Sequence, residues 1–133
     1  MVSLLIIAHG NLGDCLIESV EHVLGHRPPG LEGLDLTACE NPEQMLALAK
    51  STLAAMGAND GVLLLTDIYG ATPCNTVCKL IESSRIAAVA GVNLPMVLKA
   101  LNYRDRPLPE VMTKAIEGGR EGIIDVPQGC NCD

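Results

Sequence analysis

Phenylalanine and tryptophan are absent from the 133 residues, and tyrosine occurs only at positions 69 and 103. Without large rings, the core has to be packed from Leu, Ile, Val, Ala and Met. Positive charge is scarce as well: nine Lys and Arg stand against sixteen Asp and Glu, a formal net charge of −7. That balance argues against a nucleic-acid surface or an anionic membrane as partner. It suits a soluble protein, one that could meet a basic protein partner. No apolar run reaches the length of a membrane span. The opening eight residues are too short for a signal peptide and lack its basic start. Six cysteines are present, but Cys15, Cys39, Cys74 and Cys78 lie inside or beside apolar stretches with no secretory signal before them. A reduced, cytoplasmic setting is expected rather than a disulfide framework.

What the chain does have is two apolar, β-branched runs that stop at a polar group. MVSLLIIAHG, residues 1–10, ends on His9 and Gly10; GVLLLTDIYGATPCN, residues 61–75, passes through Asp67. Runs without alternation, bounded by glycine, are the pattern of strands buried on both faces of a parallel sheet. Strands are expected at 2–8, 31–37 (weaker, near an edge), 61–66, 85–90 and 122–126. A helix capped by Asp14 is expected to run to about Leu24 and stop at Gly25 after a turn at 11–13. Asn41 with Pro42 opens a second helix to about Met56, whose apolar face is Met45, Leu46, Leu48, Ala49, Leu53 and Ala54. Further helices are expected from Pro73 through Ile81, from 93–95 through Asn102, and over 109–117. Alternating strands and helices imply βαβ crossovers, hence an α/β three-layer sandwich: a mainly parallel sheet with helices on both faces. One domain over 1–126 and a tail over 127–133 account for the chain.

In such sheets ligands bind at the carboxyl ends of the strands, so His9 and Asp67 could meet on one rim. Taken alone, His9 reads as a satisfied polar residue at a strand end, and the loop after Asp67 as an ordinary turn capped by Thr72. Together they are more specific. The loop Ile68, Tyr69, Gly70, Ala71, Thr72 leads into a helix N-terminus, whose free amides and dipole favour phosphate oxygens. If a phosphoryl group is carried, one imidazole nitrogen must be the unprotonated nucleophile while the other holds the proton. A carboxylate accepting that proton's hydrogen bond fixes the tautomer and steadies the charge on phosphorylation. Asp67 is the candidate, and the 68–72 amides would stabilise the phosphoryl oxygens without a metal or any cofactor.

LLIIAHG with His9, LLLTDIYGATPCN with Asp67, Gly70, Thr72, Pro73 and Asn75, AGVNLPMV with Asn93 and Pro95, and GREGI occur here in order over about residues 1–126. In these motifs the chain resembles the IIA domain of the mannose family of the bacterial sugar phosphotransferase system (PTS). The resemblance implies that His9 is phosphorylated by the histidine-containing phosphocarrier protein and passes the group on, with Asp67 orienting the ring. It also implies a homodimer in which the last strand, 122–126, is exchanged as an antiparallel edge. The onward partner implied is a IIB component. The alternative is a stand-alone regulatory protein of a transporter-less system, whose phosphorylation state signals to a protein target. A third reading, a subunit feeding a dihydroxyacetone kinase, fits the Gly70-Ala71-Thr72-Pro73 motif less well.

Other residues carry blander readings. His22 and His26 lie at and beyond the end of the first helix, where a partial positive charge is favourable. Cys74 and Cys78 are spaced i, i+4 but lack further ligands, so they read as buried small hydrophobes. Cys130 and Cys132 on the tail could bind a soft metal, although a tail of no consequence is the simpler expectation.

Overall fold

A computed structural model of the chain describes residues 1–57, 59–68, 72–81 and 84–127, with side chains left aside for 72–74. Elements follow in the order β1 (Ser3–Ala8), α1 (Leu12–Leu24), β2 (Leu31–Asp35), α2 (Pro42–Met56), β3 (Val62–Thr66), α3 (Thr72–Leu80), β4 (Ile86–Ala90), α4 (Leu94–Asn102) and α5 (Leu108–Glu121). The four strands form one parallel sheet in the order β2-β1-β3-β4. The expected sandwich is therefore present, with α1, α4 and α5 on one face and α2 and α3 on the other.

The central strands explain the two uninterrupted runs. Every residue of β1 and β3 is buried. Leu4, Ile6 and Ala8 join Leu63 and Leu65 in one core, while Leu5, Ile7 and Leu64 pack into the other. Side chains alternate between faces along a strand, so a strand covered on both sides has to be apolar throughout. β2 lies at an edge as its alternating sequence implied, with only Leu31 buried. In α2, Leu48 and Ala54 are exposed and Met56 takes part in the packing instead.

Asn41 and Asn93 cap α2 and α4, accepting hydrogen bonds from the Gln44 and Met96 amides at 2.9 Å each. Pro42 and Pro95 occupy the first turns, where no amide hydrogen is required. The first helix differs from expectation. It begins at Leu12, with Asn11 as N-cap making no side-chain bond, so Asp14 lies within the first turn rather than capping it. There its negative charge still favours the helix N-terminus. Gly33 of β2 permits this close approach, since a Cβ there would sit 2.7 Å from Asp14 Oδ1.

The C-terminal end differs too. The last helix extends to Glu121, past the expected stop at residue 117. Residues 123–127 form no strand within the chain. Ile123, Ile124 and Val126 are 78%, 69% and 71% exposed, and the outer edge of β4 has no strand neighbour among the described residues. A strand exists only by pairing, and among the described residues this segment lies beside no strand. Cys78, expected to be buried, is exposed, because Thr76, Val77 and Leu80 carry the face of α3 that packs inward.

Candidate functional site

β1 and β3 are hydrogen-bonded neighbours with Ile7 opposite Thr66, so His9 and Asp67 leave the sheet side by side at its carboxyl rim. The two expected site residues therefore meet. His9 Nδ1 lies 2.7 Å from Asp67 Oδ2. The same oxygen accepts the His9 backbone N–H at 3.0 Å, and Oδ1 accepts the Ile68 N–H at 2.9 Å. The buried Thr66 hydroxyl approaches Oδ1 at 3.5 Å, and the Thr66 carbonyl accepts the Val92 N–H from the loop after β4 at 3.0 Å. The carboxylate is thus fixed at both oxygens before any substrate arrives.

Its protonation follows from these contacts. Burial pushes the Asp67 carboxyl upward, but the hydrogen bonds from the His9 amide, the His9 ring and the Ile68 amide, with the positive character of His9, outweigh it and hold the group below the ordinary carboxylate value. An ionised carboxylate only accepts hydrogen bonds, so a His9 ring with a single proton presents it on Nδ1 and keeps its free lone pair on Nε2. The side chain of His9 is 47% exposed while that of Asp67 is 14% exposed. The carboxylate is sheltered, and the ring beside it can be reached by another molecule.

The Ile68 amide, expected at the phosphoryl oxygens, donates to Asp67 Oδ1. Its side chain is exposed. Of the remaining loop positions, Tyr69, Gly70 and Ala71 lie outside the described residues, as do Cys130 and Cys132. Thr72 is the first residue of α3, with Pro73 next, so the helix begins where the phosphate loop was expected to end.

Sequence reading missed Asp35. It closes β2 opposite Ala8, the residue before His9. Its Oδ1 accepts the Thr37 N–H at 2.9 Å and the Thr37 hydroxyl at 2.6 Å. The Asp-x-Thr pattern at a strand end is the signal for such an Asx turn, concealed because 31–37 reads as a single strand. The Thr37 hydroxyl and amide, and more weakly the Gly10 amide and His9, lower the Asp35 carboxyl against a small upward push from burial.

Comparison with known proteins gives the chain a family. A family model described as "PTS system fructose IIA component" matches residues 3–116. The "PTS system mannose-specific EIIAB component" of Escherichia coli strain K12 is 30% identical over 125 residues, 92% of this chain and 38% of that protein. The chain thus spans less than half of that relative's length. The "PTS system fructose-specific EIIA component" of Bacillus subtilis strain 168 is 31% identical over 106 residues, covering 79% of this chain and 72% of the relative. Among solved structures, the phosphotransferase system component EIIA from Streptococcus agalactiae superposes with a TM-score of 0.83 at 28% identity, over 94% of this chain and 97% of the other. The mannose/sorbose specific IIA subunit from Enterococcus faecalis gives the same TM-score at 22% identity, over 95% and 96% of the two chains, a likeness of fold. On the family match over most of its length, the chain belongs to the mannose-type IIA family of the sugar phosphotransferase system.

Proposed function

We propose that the chain is a phosphoryl carrier: His9 accepts a phosphoryl group from the histidine-containing phosphocarrier protein and passes it to a IIB component. The observation that carries this reading is the 2.7 Å contact between His9 Nδ1 and Asp67 Oδ2 on a half-exposed ring. In the forward step the Nε2 lone pair attacks the phosphorus held on the carrier's histidine. The new P–N bond forms as the old one breaks, and the carrier leaves with its own ring nitrogen restored. The His9 proton stays on Nδ1, where Asp67 faces the positive charge that the phosphorylated ring acquires. No further general base is required, since the nucleophilic nitrogen is already unprotonated.

The phosphoryl oxygens are assigned to the amides of 68–72, the stretch of sequence that leads to the N-terminus of α3 at Thr72, the positive end of that helix. A homodimer belongs to the same reading, with residues 122–126 of each subunit added antiparallel to the open edge of the partner's sheet. The exposed Ile123, Ile124 and Val126 support it, as such side chains are rarely left to water together on a monomer. The cytoplasm is the compartment for this relay.

The test is incubation with phosphoenolpyruvate, enzyme I and the phosphocarrier protein, followed by mapping of the phosphorylated residue and addition of a IIB component. Acid-labile phosphate on His9 that moves to the IIB component is the expected result. Phosphate on any other residue overturns the site. Phosphate on His9 that no IIB component removes overturns the relay.

A further inference from the structure

We propose that a cavity at the amino end of the sheet, built around Arg104, binds a small monocarboxylate. It lies at the opposite rim from His9 and does not depend on the reading of that residue. β1 spans six residues between the two rims, about 20 Å at the rise of a strand. Arg104 follows α4 and grips Val2, just before β1, by backbone and side chain. Its carbonyl accepts the Val2 N–H at 2.8 Å, and its Nε donates to the Val2 carbonyl at 3.1 Å. Gly30 leaves room for the guanidinium, since a Cβ there would sit 2.6 Å from Nη2. The residue is 7% exposed.

Only Nε is used in this way. Among the described residues, Nη1 and Nη2 make no hydrogen bond and no carboxylate comes within 4.0 Å of the guanidinium. A buried cation is ordinarily paired. Burial pushes this one below the ordinary arginine value, and the nearby charge of Asp105 restores part of the difference. Yet no buried side-chain nitrogen or oxygen among the described residues lacks a partner, so both Nη atoms open onto space that water can enter. The space at hand is a cavity of about 290 Å³ lined by Arg104 with Met1, Asp60, Asp105, Arg106 and Pro107. Two adjacent Nη groups match two oxygens of a carboxylate or of a phosphate. The rest of the lining decides between them. Asp60 takes the amino group of Met1, and Arg106 faces Glu110 at 3.9 Å, so these charges are largely compensated. Asp105 makes no ion pair among the described residues and opposes a second negative charge on the ligand. One cationic fork beside one carboxylate suits a singly charged head. Pro107 is the N-cap of α5, whose positive end favours the same sign of ligand.

The experiment titrates lactate, and separately inorganic phosphate, into the intact chain at neutral pH. Proton–nitrogen NMR follows the Arg104 Nε–H and the Val2 amide. The expected result is a saturable shift of both signals by lactate, with a Kd of about 1 mM, which an ordinary efficiency per heavy atom gives a ligand of this size. Phosphate should bind at least about threefold more weakly, since Asp105 repels its second charge. Arg104→Lys keeps the charge but removes the fork, and should weaken lactate binding by about tenfold, read at the Val2 amide. Asp105→Asn removes the opposing charge and should tighten phosphate by about threefold, and lactate by less. The proposal is overturned if the lactate shift does not saturate, if phosphate binds as tightly as lactate, or if Arg104→Lys binds lactate as the parent does. Should Arg104→Lys not fold, Asp105→Asn decides in its place, and an unchanged phosphate affinity overturns the proposal. Phosphorylation of His9 enters none of these measurements, so failure of the carrier reading leaves them intact.

Discussion

Asp67→Asn separates the shape of the orienting group from its charge. The side chain keeps its size but gains an N–H₂ at one of two positions, and both positions are already taken by donors. Oδ2 accepts the His9 amide and faces Nδ1, while Oδ1 accepts the Ile68 amide. If the amide carbonyl turns toward His9, the N–H₂ opposes the Ile68 N–H. If it turns toward Ile68, the N–H₂ opposes the His9 amide and selects the ring form with the proton on Nε2, which cannot attack phosphorus. A hydrogen bond to a charged group contributes about 1.5–3 kcal/mol, and about 1.4 kcal/mol is tenfold in rate. The forward transfer should therefore slow by roughly tenfold to a hundredfold, falling chiefly in kcat because the developing ring charge loses its counter-charge. Asp67→Ala should slow it at least as much, while fold and dimer persist. Rapid-quench measurement of labelled phosphate moving from the carrier is the assay, with circular dichroism as the folding control. An Asp67→Asn protein that folds and accepts phosphate at the parent's rate would refute the orienting role.

His9→Ala should abolish phosphorylation by the general phosphotransferase proteins, and acid-labile phosphate retained on that variant is the contrary result. Truncation before Gly122 should weaken the dimer: three apolar side chains at about 1.5–3 kcal/mol each amount to roughly 5 kcal/mol, more than a thousandfold in Kd, and sedimentation equilibrium reads it. Asp67 and Asp35 both titrate below the ordinary aspartate value of 3.8. A depressed folded-state value adds stability that is complete above the unfolded value and drains away as pH falls through the folded one. The thermal midpoint should thus drop below about pH 4, less steeply in Asp67→Asn; a parent and variant with parallel acid profiles would contradict this.

The layers of the fold were legible because burial on two faces leaves a mark that periodicity cannot hide. β1 and β3 read as unbroken apolar runs, and β2 with its alternation read as an edge. The caps at Asn41 and Asn93 were legible in the same way, each being a short polar side chain directly before a helix with proline in its first turn. Failure came where structure is decided by neighbours. Asp14 has the right chemistry for a cap, but the chain turns earlier: the Leu12 amide already reaches the His9 carbonyl at 3.3 Å, and Cys15 that of Asn11 at 2.9 Å. The run Ile123-Ile124-Asp125-Val126 has strand composition and, among the described residues, no strand beside it.

The site divides along the same line. That a histidine and an aspartate end two buried strands is a statement about composition, and sequence carries it. That the strands are adjacent depends on a sheet order closed across 58 residues of chain, which local pattern does not specify. Finer still is the distribution of hydrogen bonds. A motif assigns one partner to each group, yet Asp67 Oδ2 receives two contacts from the same histidine, and Oδ1 takes the Ile68 amide. Such sharing arises because an ionised carboxylate has about four acceptor positions and a sheltered site fills those within reach. The residues that shape His9 therefore include acceptors whose work is on the backbone: Asp67 Oδ2 takes the His9 amide as well as facing its ring. They can be found only by asking of every amide near the histidine where its hydrogen bond goes.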